Sequence, residues 1–223
     1  MKKRWLKVLV AAVIAVSLIG FARRSAQAEA VITASGSCGE NASFVLDSDR
    51  VLTISGEGEI YDMDWAAVGD FEKLVIESGI TGICESAFNS CGSLTEIVLP
   101  DSVTSIGKSA FYNNSNLTKI VLPDDSVTSI GSDAFNSCSS LREIVLPDSL
   151  ASIGDFAFYN CSNLREIVLP DSVTFIGENT FNRCSSLTEI VLPDSLVSIS
   201  ACTFYGCSNF PRCRYTRNAR KSV

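Results

Sequence analysis

Carboxylates and thiols are the groups whose spacing in this chain repeats as chemistry would need. Glu96, Glu143, Glu166 and Glu189 occupy one position of a recurring segment. Cys91, Cys138, Cys161, Cys184 and Cys207 occupy another, with Asn114 in the sixth copy. Paired carboxylates serve acid–base hydrolysis, and grouped thiols hold metals or form disulfides. The surroundings exclude most of this. The chain has no histidine, which removes histidine-based triads, Cys–His pairs and His-containing zinc sites. No phosphate-cradling Gly-x-x-x-x-Gly-Lys stretch occurs, and no second pair completes a metal site around Cys202 and Cys207. Asp62 and Asp64 lack the further oxygen ligands of a calcium loop and read as a surface turn. Catalysis needs one distinct constellation, whereas repetition supplies copies. The expectation is a protein that is not an enzyme, with no cofactor and no metal.

The elements that position these columns follow from the repeat itself. Leu141-Arg142-Glu143-Ile144-Val145-Leu146-Pro147-Asp148-Ser149 has close copies beginning at Leu94, Leu117, Leu164 and Leu187. A period of about 23 residues marks a stacked array, with Asp125 the single insertion. Within a coil, Ile144-Val145-Leu146 alternates as a strand does: Ile and Leu inward, Val outward. Pro147 ends pairing, Asp148-Ser149 turns, and Leu150 and Ile153 begin a second extended piece. Gly154 is expected at a backbone angle that a side chain opposes. Ala157-Phe158 then dips into the core. Phe88, Phe111, Phe135, Phe158, Phe181 and Phe204 should stack in one column, and Ile97, Ile120, Ile144, Ile167 and Ile190 in another.

The fold class expected is therefore a β-rich repeat solenoid of about six 23-residue coils over 71–209, with an N-terminal β-hairpin cap over 31–70. The first coil is degenerate, placing Leu74, Ile76, Ile80 and Ile83 inward. In the cap, residues 44–51 and 52–55 read as two strands around an Asp47-Ser48-Asp49 turn, ended by Gly56-Glu57-Gly58. Trp65 suits the covering of the first coil.

Residues 1–30 read as a secretory signal: Lys2, Lys3, Arg4 and Lys7 precede an apolar run from Val8 to Phe21, followed by small-residue cleavage sites. Cleavage leaves 12 basic against 24 acidic residues, a net charge of −12. Nucleic acid is then a poor partner, since phosphates need a basic face, and no second long apolar segment follows to span a membrane. The thiols of the repeat column read as buried hydrophobes rather than a disulfide ladder. Cys38, Cys84, Cys202 and Cys213 lie off the column and are the better candidates for any bridge.

The coil Leu-x-x-Ile-x-Leu-Pro-x-Ser-Val-x-x-Ile-Gly-x-x-Ala-Phe-x-x-Cys, read from Leu164 to Cys184 with Thr180 in place of Ala, resembles the BspA-like leucine-rich repeat family. Cys38-Gly39-Glu40-Asn41, Leu52-Thr53-Ile54-Ser55-Gly56 and Asp62-Met63-Asp64-Trp65 resemble that family's leader. The resemblance covers about 36–209 and implies a right-handed leucine-rich-repeat array, secreted by a bacterium or held at its surface. It also implies adhesion to host proteins, such as extracellular matrix, or to another cell surface. Residues 210–223 depart from the pattern as an atypical basic tail, read either as a natural terminator or as a truncated or frameshifted end.

The expected partner-binding face is the outward side of the Leu-x-x-Ile-x-Leu strands: Glu96, Val98, Lys119, Val121, Arg142, Glu143, Val145, Arg165, Glu166, Val168, Glu189 and Val191. An apolar stripe between charged columns on an extended face suits protein binding. The alternative is a structural spacer or recognition module of a larger cell-surface protein. Carbohydrate binding is disfavoured because no repeated aromatic platform lies on the strand face. The residue after each column phenylalanine alternates Asn89, Tyr112, Asn136, Tyr159, Asn182, Tyr205, which suggests growth by two-coil duplication.

Overall fold

The computed structural model describes residues 30–200 and 202–208. The expected export signal before residue 30, Cys213 and the basic tail lie outside the described residues.

The chain opens with antiparallel strands β1 (Ile32–Ser37), β2 (Asn41–Asp47) and β3 (Val51–Ile60). The Asp47 carboxylate closes the β2–β3 turn by accepting from the Asp49 and Val51 backbone N–H groups at 2.9 and 3.0 Å, as turn aspartates do. The expectation that Gly56-Glu57-Gly58 ends the second strand is corrected: β3 runs on to Ile60. Gly56 and Gly58 hold φ of 112° and 88°, left-handed angles that glycine reaches freely, and the strand bends there instead of stopping. Its first part pairs in parallel with β4 (Lys73–Ile76), and its last part with β5 (Ile80–Ile83). The coil geometry therefore begins before the repeated words do.

From β3 two parallel ladders extend. One runs through β4, β6 (Glu96–Val98) and β8 (Lys119–Val121). Single bridges at Val121–Val145 and Glu143–Glu166 then carry it to the paired strands β11 (Glu166–Val168) and β13 (Glu189–Val191). The other runs through β5, β7 (Ser105–Ile106), β9 (Ser129–Ile130), β10 (Ser152–Ile153) and β12 (Phe175–Ile176). Each residue pairs with its repeat equivalent, as Ile97 does with Ile120 and Ile167 with Ile190. The short helix α1 (Trp65–Val68) is capped by Asp64.

A third set of bonds joins the coils where no strand exists. Ser86, Phe88 and Ser90 donate their backbone N–H groups to Lys108, Ala110 and Tyr112 carbonyls of the next coil, at 2.8–2.9 Å. The same pattern recurs at Asp133, Phe135 and Ser137. Two residues per coil hold left-handed φ near 54–62° to permit this: Ser86, Ser109, Asp133, Phe156 and Asn179 in one column, and Ser90, Asn113, Ser137, Asn160 and Arg183 in the next. Asp and Asn tolerate that region best.

The core is one continuous cluster. Phe88, Phe111, Phe135, Phe158 and Phe181 are fully buried, and their rings stack at 5.4–5.6 Å with planes within 6–11°. Trp65 stacks on Phe88 at 5.2 Å and 15°, so it takes the place a phenylalanine would hold one coil earlier. Its indole N–H donates to the Ala87 carbonyl.

The thiols of Cys138, Cys161, Cys184 and Cys207 are buried. Each S–H donates to the carbonyl of the preceding coil's phenylalanine, at 3.1–3.3 Å. Asn114 replaces a thiol and makes the same bond, from Nδ2 to Phe88 O at 2.9 Å. Cys91 is half-buried. No disulfide joins the described cysteines: Cys38 is buried and free, Cys84 donates to Glu59 at 3.5 Å, and Cys202 is exposed and free.

Burial pushes the Cys138 thiol up to about 12, and Cys161 and Cys184 are raised for the same reason. An ordinary thiol ionises near 8.5. Above that pH the unfolded chain releases protons that the folded chain keeps, so stability falls as pH rises from about 8.5 toward 12. The expected measurement is a thermal midpoint that drops steadily above pH 9. Native protein should also react with a thiol reagent at fewer sites than denatured protein, and a full native titre would refute the buried column.

The insertion at Asp125 has a visible cost. Ser102, Ser149, Ser172 and Ser195 each donate to a carbonyl of the preceding coil, at 2.6–2.8 Å. Ser126, the equivalent residue displaced by Asp125, has a buried hydroxyl without a partner.

Candidate functional site

The outward strand residues of the first ladder do form one face, but it divides into two halves. Every second residue points inward, so Glu96, Val98, Lys119 and Val121 alternate with the buried Ile97 and Ile120. Here the charges are spent within the protein. Glu96 takes Lys73 at 3.4 Å on one side and Lys119 at 3.3 Å on the other. Lys73 was missed in the sequence because the degenerate first coil hides its place in the column.

Beyond Lys119 the column reads Glu143, Glu166, Glu189, like charges paired through the ladder register. Arg142 and Arg165 stand beside them, all five side chains are exposed, and none forms an ion pair among the described residues. The expected apolar stripe is less open than the sequence suggests. Val98, Val121, Val145, Val168 and Val191 are half-buried, because paired strands lie close enough for each valine to shield the next. The exposed large hydrophobic residues sit elsewhere, among them Phe175, Val197 and Tyr205.

The described residues contain no group of three or more metal-ligating side chains, and no helix among them is long and apolar enough to cross a membrane. What this face offers chemically is an extended surface with charges of both signs that are unpaired among the described residues.

Parallel coils in one-repeat register, a buried aromatic column and a regular outward strand face define a leucine-rich-repeat β-solenoid. Six copies of the BspA type leucine rich repeat region match residues 59–187 and 128–221. The chain belongs to the BspA-type leucine-rich repeat family. Among solved structures, it is similar to a leucine rich repeat protein of T. pallidum, with 32% identity and a TM-score of 0.63 over 74% of this chain and 75% of that one. It also resembles a leucine-rich repeat protein from Bacteroides ovatus (27%, TM-score 0.55, 77% and 51% covered). A leucine rich cell surface protein from Faecalibacterium prausnitzii shares the fold at 23% identity, with a TM-score of 0.56 over 82% and 54%. The chain spans about half the length of these last two. No curated protein matches the sequence significantly.

Proposed function

We propose that this chain is an exported, non-catalytic binding protein of the bacterial cell surface, which adheres to a protein partner through the outward face of its first ladder. The supporting observation is the set of exposed charges at Arg142, Glu143, Arg165, Glu166 and Glu189, unpaired among the described residues and aligned along the ladder. Groups already paired in the free protein must break those pairs to bind. Unpaired ones need not, so binding concentrates on the fourth to sixth coils rather than on Glu96 and Lys119. The Faecalibacterium relative is described as a cell surface protein, consistent with this location. Host extracellular matrix and another cell surface are the partner classes to test first.

The test is capture of matrix and cell-surface proteins on the full exported chain, repeated with Arg142→Ser and Arg165→Ser together. The expected result is specific capture in which the double variant loses roughly tenfold in affinity, about 1.4 kcal/mol, with its thermal midpoint unchanged. Val145→Ser with Val168→Ser should lose affinity too, but also stability, because both valines are half-buried. Undiminished affinity of the arginine variant would remove this face. Failure to capture any partner would favour the second reading, a spacer or recognition module of a larger surface protein, which the half-length coverage of two relatives also supports.

A further inference from the structure

The turn face carries a pattern that the strand face does not use. Asn89, Tyr112, Asn136 and Tyr159 stand at successive coils and line one open groove of about 460 Å³, with Asp133 and Phe156 between them. A smaller depression of about 240 Å³, lined by Asp64 and Asp70 among others, shares Asn89 with it. The groove thus runs along the stacking axis.

Phe156 holds φ 56°, at a position where the other coils place Ser86, Ser109, Asp133 and Asn179. A bulky residue is disfavoured in that region, and strain of this kind gathers at ligand sites. Its ring meets Tyr159 at 5.7 Å and 59°, making an angled aromatic wall, and the Arg183 guanidinium lies 5.5 Å from the Tyr159 ring centre. The Asn136 amide donates to Asp133 at 2.7 Å and accepts from Ser137 at 2.9 Å. These bonds fix its orientation and leave one N–H to offer.

We propose that this groove binds an extended β-1,4-linked polysaccharide, one sugar per coil. Beside the groove the Phe111, Phe135 and Phe158 rings of successive coils stand 5.5 and 5.4 Å apart, and paired strands repeat at about 4.8 Å, a step close to the length of one sugar in such a chain. Neighbouring sugars in that linkage are flipped relative to each other, so the same face returns at every second sugar. Tyrosine returns at every second coil. The C–H faces of alternate sugars rest on Tyr112 and on the Phe156–Tyr159 wall, while their hydroxyls meet the Asn89 and Asn136 amides and the Asp133 carboxylate, whose donors and acceptors match them. An extended peptide fits less well. It advances about 3.3 Å per residue, so its same-face side chains recur at about 6.6 Å and fall out of step with the coils.

The test is calorimetric titration of the full chain with cellohexaose and chitohexaose, with maltohexaose as the α-linked comparison. At least one β-linked hexasaccharide should bind, and Tyr112→Asn and Phe156→Asn should each weaken it tenfold or more. Both variants should fold, because Asn occupies the equivalent positions at Asn89 and Asn179; Phe156→Asn should hold or raise the thermal midpoint. The Arg142→Ser/Arg165→Ser variant should bind sugar normally, which separates this groove from the strand face. No binding by either β-linked probe, equal binding of maltohexaose, or full affinity in the two variants would overturn the proposal. Displacement of the bound sugar by an extended peptide of higher affinity would assign the groove to peptides and overturn it too.

Discussion

Phe158→Ala is expected to lower the melting midpoint of the whole array by roughly 10 °C. Phe158 is fully buried and stacks on Phe135 at 5.4 Å and Phe181 at 5.6 Å. Truncating a buried phenylalanine costs about 3–5 kcal/mol, the lost transfer energy plus that of the cavity. In a protein of this size each kcal/mol moves the midpoint by about 2–4 °C. The backbone carbonyl of Phe158 also accepts the Cys184 thiol at 3.1 Å, so the cavity opens beside a buried polar bond. Coils touch only their neighbours. A defect in the fourth coil therefore weakens two interfaces, and melting should stay single and shift as a whole. A calorimetric midpoint within 2 °C of the parent would contradict the stacked column, a threshold set by about 1 kcal/mol.

Gly154→Val is expected to be comparably severe for the opposite reason. A Cβ at Gly154 would lie 2.5 Å from Ser132 N and 2.7 Å from Gly131 C. A Cβ at Gly107, Gly131 or Gly177 would likewise lie 2.4–2.6 Å from backbone atoms of the preceding coil. The obstacle is backbone, which cannot swing aside as a side chain would. Overpacking of this kind costs about 1–3 kcal/mol even in yielding cores, so the coils must separate. The control is Gly92→Ala, where nothing lies within 4 Å, and its midpoint should not move. The sixth coil already shows the effect. Ser200 takes the glycine position there, residues 197–200 form no strand, and Ile199 is 37% exposed where its equivalents Ile106, Ile130, Ile153 and Ile176 are buried. Ser200→Gly should therefore slow hydrogen exchange over 197–200, and unchanged exchange would refute the steric explanation.

These two residues also show why some features were legible and others were not. Phe158 was readable as core because burial follows residue type and period, and both are written in one dimension. The glycine column was visible too, but its cause was misread. An unusual backbone angle is the expectation for Gly154, which is not among the left-handed glycines; the preceding coil's backbone instead fills the space a Cβ would need. The turn-face bonds went unseen because their Ser, Asn and Asp residues look like loop filler until two coils lie side by side.

The candidate binding face divides in the same way. Its columns were predicted from alternation, and they do share one face. That Glu96 and Lys119 are mutually neutralised, and that the valines are half-buried, depends on which residue sits one coil away. On the other side, Asn and Tyr alternation read only as a trace of duplication. The groove it lines becomes visible only when these residues of successive coils stand side by side, with Phe156 against Tyr159 at one end.

By itself, then, the amino-acid sequence determined the coil length, the inward residues, the thiol column and the family, because a fixed period and hydrophobic alternation suffice for each. Tertiary structure alone decided which charges remain free, why glycine recurs, where the last coil opens and that the turn face is hollowed. Each of those depends on distances between residues about 23 positions apart, and such distances exist only once the coils have stacked.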